Sequence, residues 1–295
     1  MNKKQRRLAL AAALATTFSL PAAAQVLPQA VEGMRIPLAE KPTSRPMSVA
    51  YAPDQSRYIV ADGGYTAVAD ENGIVASKSL IHVYDAKGNY VSSAKPGLSN
   101  KTVYFNPNKN RLESVTYNAS SDAGFLPNCG VYALELDKDG KLTNNSDEIS
   151  GPNPAFGDAA TFPTYDPADN QYYAKQERSD KVRIVKLDKR EPVGEIKLDL
   201  AAAGVKHDDI SDHYVAFTGI PGEELAVLDV DHKAVLVFDL KGKFVGRSAL
   251  PATMKLRANN HYNGHGYANG MFFVYHEPEG EFGTYYGFKI SDQTQ

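Results

Sequence analysis

A repeat of about 51 residues constrains the fold of this chain more than any other feature of its sequence. Four alternating apolar runs each end in an aspartate that is followed by a lysine-containing turn, and successive aspartates are 51 or 52 residues apart. They are Asp85, Asp137, Asp188 and Asp239. A fifth run ends at Ser291, one further period along the chain. Such a period is typical of solenoids, propellers and arrays.

A second marker, an aromatic residue before a turn rich in Pro or Gly, recurs five times, at Tyr51, Phe105, Tyr165, Phe217 and Tyr267. Each turn precedes a run rich in β-branched and aromatic residues, which favours a β-strand. Each unit therefore reads as four strands, which is typical of a propeller blade. We predict an all-β fold, a five-bladed β-propeller. Six or seven blades, or a β-sandwich, are the alternatives.

The fifth unit shows three strands in the sequence, so a fourth has to come from elsewhere. The segment 34–40 (MRIPLAE) precedes Tyr51 much as an outer strand precedes Tyr267. We therefore predict that this N-terminal strand pairs beside the strand at 285–290 and closes the last blade. Such pairing also removes an exposed sheet edge.

Three short motifs carry a resemblance to known propellers: IVAD at 59–62, VYDAKG at 83–88 and VFDLKG at 237–242. With them the chain resembles the broad class of NHL and YVTN-like β-propellers, whose blades carry a V-A-D motif and an apolar-apolar-Asp-x-x-Gly turn. The resemblance implies the fold. Because such propellers include lactonases, lyases and binding scaffolds, it implies no single function.

The N-terminus has the pattern of a secretory signal peptide: basic residues at 3–7, an apolar run at 8–20 and small residues at 22–24. The run is too short for a membrane span. We expect cleavage near Ala24–Gln25, which leaves residues 25–295 as a single, monomeric propeller domain in the periplasm or the medium.

Charge and cysteine content exclude several classes of function. The formal net charge is -3 and no basic run follows residue 24, so we expect no nucleic-acid partner. Cys129 is the only cysteine, so intramolecular disulfides do not hold this fold. The sequence also has no nucleophile-elbow, zincin or Walker motif.

One face of the predicted propeller is built from the loops between second and third strands and from the segments that enter the first strands. Polar residues in these loops are the predicted ligand-binding residues: Asp62, Tyr65, Glu177, Arg178, His207, His232 and His276. Six of the seven histidines lie between His207 and His276. We therefore expect a small molecule or a protein to bind through a histidine-rich face.

Three of these histidines are predicted metal ligands. His261 and His265 are four apart on a presumed strand and project to the same side, and with His213 they could hold a divalent metal such as Zn²⁺ or Ca²⁺. The alternative is that they are structural histidines. With a metal, Asp209 or Glu277 is the candidate general base. The leading hypothesis is a non-enzymatic binding propeller, and the alternative is a metal-assisted hydrolase, lactonase or lyase with its site at the central channel.

Overall fold

The computed structural model describes residues 25–38, 46–63, 79–96, 99–117, 120–121, 124–125, 129–158, 160–277 and 283–293. Strands make up nearly all of its regular structure. The one α-helix in these ranges, α1 (Leu200–Ala203), is a single turn. Four 3-10 turns accompany it, at Pro53–Gln55, Pro154–Phe156, His207–Asp209 and Ala258–His261. None of the helices in the described residues is long and apolar enough to span a membrane.

The strands form antiparallel sheets that follow the sequence repeat. The first sheet contains β2 (Pro46–Ala52), β3 (Arg57–Asp62), β4 (Ile81–Asp85) and β5 (Tyr90–Ala94), in chain order. The second contains β6 (Ser99–Asn106), β7 (Arg111–Tyr117), β10 (Cys129–Leu136) and β11 (Leu142–Ser150), with a short hairpin of β8 (Ser120–Ser121) and β9 (Gly124–Phe125) between β7 and β10. The third contains β12 (Thr164–Asp166), β13 (Gln171–Lys175), β14 (Lys181–Val185) and β15 (Gly194–Lys197).

The remaining strands belong to one eight-stranded sheet. It joins two further units through β1 (Val26–Pro37). The first of these units contains β16 (Ala216–Phe217), β17 (Leu225–Asp229), β18 (Ala234–Phe238) and β19 (Phe244–Ala249). The second contains β20 (His265–Ala268), β21 (Met271–His276) and β22 (Thr284–Ser291). The sheet order is β16-β17-β18-β19-β1-β22-β21-β20. The first strand of the chain therefore lies between two units that are remote from it in sequence.

The N-terminal strand pairs where the sequence predicted. Met34 lies opposite Gly287 and Ile36 opposite Tyr285, in antiparallel register. Residues 39–40 of the predicted segment lie outside the described residues. The strand also begins earlier than predicted, and Gln29 pairs in parallel with Ala249 of β19. This extra pairing is what merges the last two units into one sheet.

The repeated aspartates explain the turns. The Oδ1 atom of Asp85 accepts hydrogen bonds from the backbone N–H groups of Lys87 (2.8 Å) and Asn89 (2.9 Å). Gly88 in this turn has a φ of 83°, in the left-handed region that glycine adopts without steric strain. Asp137 and Asp239 accept the same two bonds in their own turns. At these three positions the repeat in the sequence is a repeated turn, and the aspartates are structural. The carboxylate of Asp188, the fourth repeated aspartate, instead lies 3.0 Å from Nζ of Lys189.

The first strands of the units contact one another in a closed cycle: β2 with β6, β6 with β12, β12 with β16, β16 with β20, and β20 with β2. At the last of these contacts a Cβ atom on Gly266 would lie 2.7 Å from the backbone nitrogen of Val49. Only glycine therefore permits this approach of two backbones. Apolar side chains such as Phe272 and Val235 fill the space between the sheets. The arrangement is all-β and propeller-like.

Candidate functional site

The candidate site lies on the face where second strands end and first strands begin. Glu177 follows β13, and Asp212 and His213 precede β16. One ligand atom from each of these three side chains lies within 4.8 Å of the other two. Two carboxylates and an imidazole form a donor set that suits a divalent cation. This is the only such group of three among the residues that the structure describes.

Backbone N–H groups hold the segments of this cluster in place. The N–H of Glu177 donates to Oδ2 of Asp158 (2.8 Å), and the N–H of Arg178 donates to Oδ1 of Asp212 (3.3 Å). Arg178 has a φ of 47°, a left-handed conformation that turns the chain sharply after Glu177. The N–H of Asp212 donates to the carbonyl of His261 (2.6 Å). Two loops that are distant in sequence are thereby fastened to each other.

A buried lysine lies beneath the cluster. The side chain of Lys175 is 0 % exposed, and burial lowers its pKa to about 8, although the charges of Asp212, Asp180 and Asp158 oppose that shift. Asp180 itself pairs with Lys197 at 3.7 Å. The ammonium group donates to three backbone carbonyls, those of Asp212 (2.9 Å), Ser179 (3.0 Å) and Gln176 (3.3 Å). Lys175 thus fixes the backbone that carries Asp212.

Aromatic rings flank the imidazole of His213. The ring centroids of Phe162 and Tyr262 each lie 5.7 Å from that of His213. Phe162 is buried, whereas Tyr262 is 41 % exposed. The side chain of Arg178 is 72 % exposed and its Nε lies 4.0 Å from Oε1 of Glu177. The accessible surroundings of the cluster therefore include an aromatic ring and a guanidinium group.

The three histidines predicted as metal ligands lie in different surroundings. His265 is 0 % exposed and stacks on Tyr214, with 5.6 Å between the centroids. Burial lowers its pKa to about 3, so its ring is neutral at physiological pH. The Nε2 of His261 lies 3.3 Å from Oδ1 of Asp231. In the described part of the chain no group that contains all three histidines has its ligand atoms within 4.8 Å. His213 meets Glu177 and Asp212 instead.

The prediction that His261 and His265 lie on one strand was wrong. His261 ends the 3-10 turn Ala258–His261, and the strand begins only at His265. Between them Gly264 has a φ of 81°, which an extended strand does not contain. The rule that residues four apart on a strand project to one side therefore does not apply to this pair.

The other predicted ligand-binding residues are scattered over the molecule. The Nδ1 of His232 lies 2.9 Å from the buried carboxylate of Asp229, and the Nδ1 of His207 lies 2.8 Å from the exposed carboxylate of Asp208. The Nδ1 of His276 lies 3.2 Å from the carbonyl of Lys255. Of the predicted ligand-binding residues, only Glu177 and Arg178 lie at the cluster, Arg178 through both its backbone N–H and its guanidinium group.

Of the remaining predicted residues, those that the structure describes do not belong to the cluster. Asp62 is buried, and its carbonyl accepts a hydrogen bond from the hydroxyl of Ser79. Asp209, a candidate base, accepts from the N–H of Lys206 (2.7 Å) and so caps a 3-10 turn. Glu277, the second candidate base, lies near Tyr275. Burial, and after it the charge of Glu277, raises the pKa of Tyr275 to about 12. Tyr65 lies outside the described residues.

Residues from all five first strands or their entries line a central cavity, among them Ser48, Thr102, Thr164, Phe217 and Tyr267. Its volume is about 60 Å³, which is room for a few water molecules. A sugar-sized ligand therefore does not fit among the first strands. In the cluster, by contrast, Glu177 is exposed to solvent, whereas Asp212 and His213 are buried behind it.

No family model and no curated protein matches this sequence. Solved structures with a similar arrangement include the periplasmic gluconolactonase of Pseudomonas aeruginosa, 13% identical over 85% of this chain and 73% of that chain, with a TM-score of 0.38. A glucose dehydrogenase is 10% identical over 86% of this chain and 99% of that chain, with a TM-score of 0.48. A β-propeller domain from Myceliophteria thermophila is 10% identical over 83% of each chain, with a TM-score of 0.41. At these values the similarities carry no argument about activity.

Proposed function

We propose that this chain binds a divalent metal ion through Glu177, Asp212 and His213 and uses that ion to hold a small ligand on the loop-bearing face. The observation that carries the proposal is the mutual distance of the three ligand atoms, within 4.8 Å. Two ligands of one ion are separated by at most twice the bond length, about 4.6–5.2 Å for Ca²⁺. Small side-chain movements therefore suffice to close the set around an ion.

Three protein ligands leave coordination positions open. A bound ion there would attract and polarise an oxygen atom of a ligand. The residues around it have separate tasks: Lys175 and the N–H of Arg178 hold Asp212, and the N–H of Glu177 is tied to Asp158. This division suits a binding site whose geometry is fixed in advance.

A metal-assisted hydrolase, lactonase or lyase is the second candidate, because the open positions favour it: catalytic metal sites keep a position for water or substrate. This candidate needs a general base. Neither Asp209 nor Glu277 belongs to the cluster, so a base from another position would have to serve. Metal-dependent turnover of a panel of lactones and esters separates the two candidates.

We also propose that residues 25–295 form one exported, monomeric propeller of five blades. The closed cycle of contacts among β2, β6, β12, β16 and β20 supports the number of blades. The basic, apolar and small-residue pattern of residues 1–24 supports export.

To test the site, the purified chain 25–295 is treated with a chelator and then titrated with metal ions in a calorimeter. Zn²⁺, Ca²⁺ and Mn²⁺ are the probes. We expect one ion per chain. We expect Asp212→Asn and His213→Gln each to weaken binding more than about 100-fold, because each replaces a direct ligand, a carboxylate or an imidazole, with a neutral amide. His232→Gln, on the same histidine-rich face but outside the cluster, is the matched control and keeps wild-type affinity. Absence of binding, or wild-type affinity in both ligand variants, refutes the proposal.

A further inference from the structure

We propose that the ligand of this site is a sugar that carries a carboxylate, with its ring stacked on Tyr262 and its carboxylate bound by Arg178. The inference rests on the metal site proposed above and adds the class of ligand to it. Three neighbouring features support it: an exposed aromatic ring, an exposed guanidinium group and the charge balance of the cluster.

Tyr262 supplies the stacking surface. Its ring lies against His213, with 5.7 Å between centroids and 38° between planes, and it remains 41 % exposed. The N–H of Tyr262 donates to the carbonyl of Asn259 (3.0 Å), which fixes the residue at the end of the 3-10 turn. A fixed aromatic ring accepts the apolar C–H face of a pyranose at little entropic cost. The position beside a metal ligand distinguishes this ring from other exposed side chains.

Arg178 supplies the anion-binding group. Its backbone is tied to Asp212, and its side chain extends into solvent, 72 % exposed, beside Glu177. The contact with Glu177 is long, at 4.0 Å, so the guanidinium retains N–H donors for another partner. A planar guanidinium binds a carboxylate with two parallel hydrogen bonds.

The charges of the site favour an anion once a divalent ion is bound. The ion balances the carboxylates of Glu177 and Asp212. Three charged residues are hydrogen-bonded to the backbone or side chains of Glu177 and Asp212: Lys175 and Arg178 are positive, and Asp158 is negative. One net positive charge remains on this group, and a carboxylate neutralises it.

A sugar acid is the simplest ligand that uses all three features. Its hydroxyl and carboxylate oxygens suit a hard divalent cation, its carboxylate suits Arg178, and its ring face suits Tyr262. A neutral sugar leaves the guanidinium unused, and a small carboxylate leaves the aromatic ring unused. These two compounds therefore serve as the discriminating probes.

The experiment is calorimetric titration of the metal-loaded chain 25–295 with D-glucuronate, D-glucose and acetate. We expect D-glucuronate to bind at least about 10-fold more tightly than either of the others. Tyr262→Ala and Arg178→Gln should each weaken D-glucuronate binding about 10-fold while each variant still binds one metal ion per chain, which also shows that it folds. Tyr90→Ala, an exposed tyrosine on β5 (39 % exposed), and Arg190→Gln, an exposed arginine outside the site, are the matched controls.

The outcomes separate this inference from the metal site on which it rests. If metal binds but D-glucuronate binds no more tightly than D-glucose or acetate, the sugar-acid proposal is overturned and the metal site stands. The sugar-acid proposal is likewise overturned if both variants bind D-glucuronate as the wild type does. If no metal binds, both proposals are overturned.

Discussion

The buried ammonium of Lys175 predicts an unusual dependence of stability on pH. A lysine in the unfolded chain titrates near pKa 10.4, whereas burial lowers the pKa of Lys175 in the fold to about 8. Between these two values the unfolded state binds more protons than the folded state, so stability rises with pH in that window. The full difference corresponds to about 3 kcal/mol, and the part between pH 7.5 and 9.5 to about 2 kcal/mol.

Urea unfolding at pH 7.5, 8.5 and 9.5 measures this rise. The pH range stops at 9.5 because tyrosines also titrate above it. Burial raises the pKa of folded tyrosines such as Tyr132, to about 12, whereas tyrosines in the unfolded chain ionise near pH 10. Their ionisation above pH 10 therefore favours unfolding. Lys175→Met should abolish the rise, and Lys289→Met, at an exposed position on β22, should keep it. A flat wild-type profile over this range, or a full rise in Lys175→Met, would show that the ammonium is not desolvated as described.

Three further predictions concern the packing around the strands. Burial lowers the pKa of His265 to about 3, so the free energy of unfolding of the wild type should fall by about 2 kcal/mol between pH 7 and pH 5. Chemical denaturation of His265→Phe should show no such fall. An unchanged fall in this variant would contradict its assignment to His265. Gly266→Ala places a Cβ atom 2.7 Å from the backbone of Val49. It should lower the free energy of unfolding by about 1–3 kcal/mol, which is measured as a lower Tm. An unchanged Tm would mean that the two backbones separate freely. The N–H of Gln25 donates to Oδ1 of Asp292 (2.9 Å) at an exposed position, so Asp292→Asn should lower the free energy of unfolding by less than about 1 kcal/mol. The same substitution should speed amide hydrogen exchange in β1. Unchanged exchange would contradict a role for this contact.

The repeated architecture was predictable because its signals are local. An aspartate that accepts two backbone N–H groups and a glycine with positive φ define a turn within a few residues, and the sequence displays this turn at Asp85, Asp137 and Asp239. The pairing of β1 with β22 followed from the same reasoning, because the fifth unit lacked a strand. Period and turn chemistry therefore sufficed for the all-β, repeated arrangement of strands, but not for the parallel pairing of β1 with β19 that joins two units into one sheet.

The candidate site was predictable only in part, because it depends on which loops meet. Sequence reasoning selected His213 and Glu177 but missed Asp212. Adjacent residues on a strand project to opposite faces, yet β16 begins only at Ala216, so Asp212 and His213 lie in a loop where alternation does not hold. The approach of the Glu177 loop to this loop depends on the packing of two units, and no local pattern encodes it.

The pairing of β1 with β22 determines when folding can finish. Residues at opposite ends of the chain must meet before the last unit has its outer strand, and a contact of such long sequence separation forms slowly because a large loop must close first. Until then β22 presents an unpaired edge that can recruit another chain. Each molecule therefore passes through a vulnerable interval between the synthesis of its last strand and the docking of its first. The hydrogen bonds between β1 and β22 end that interval.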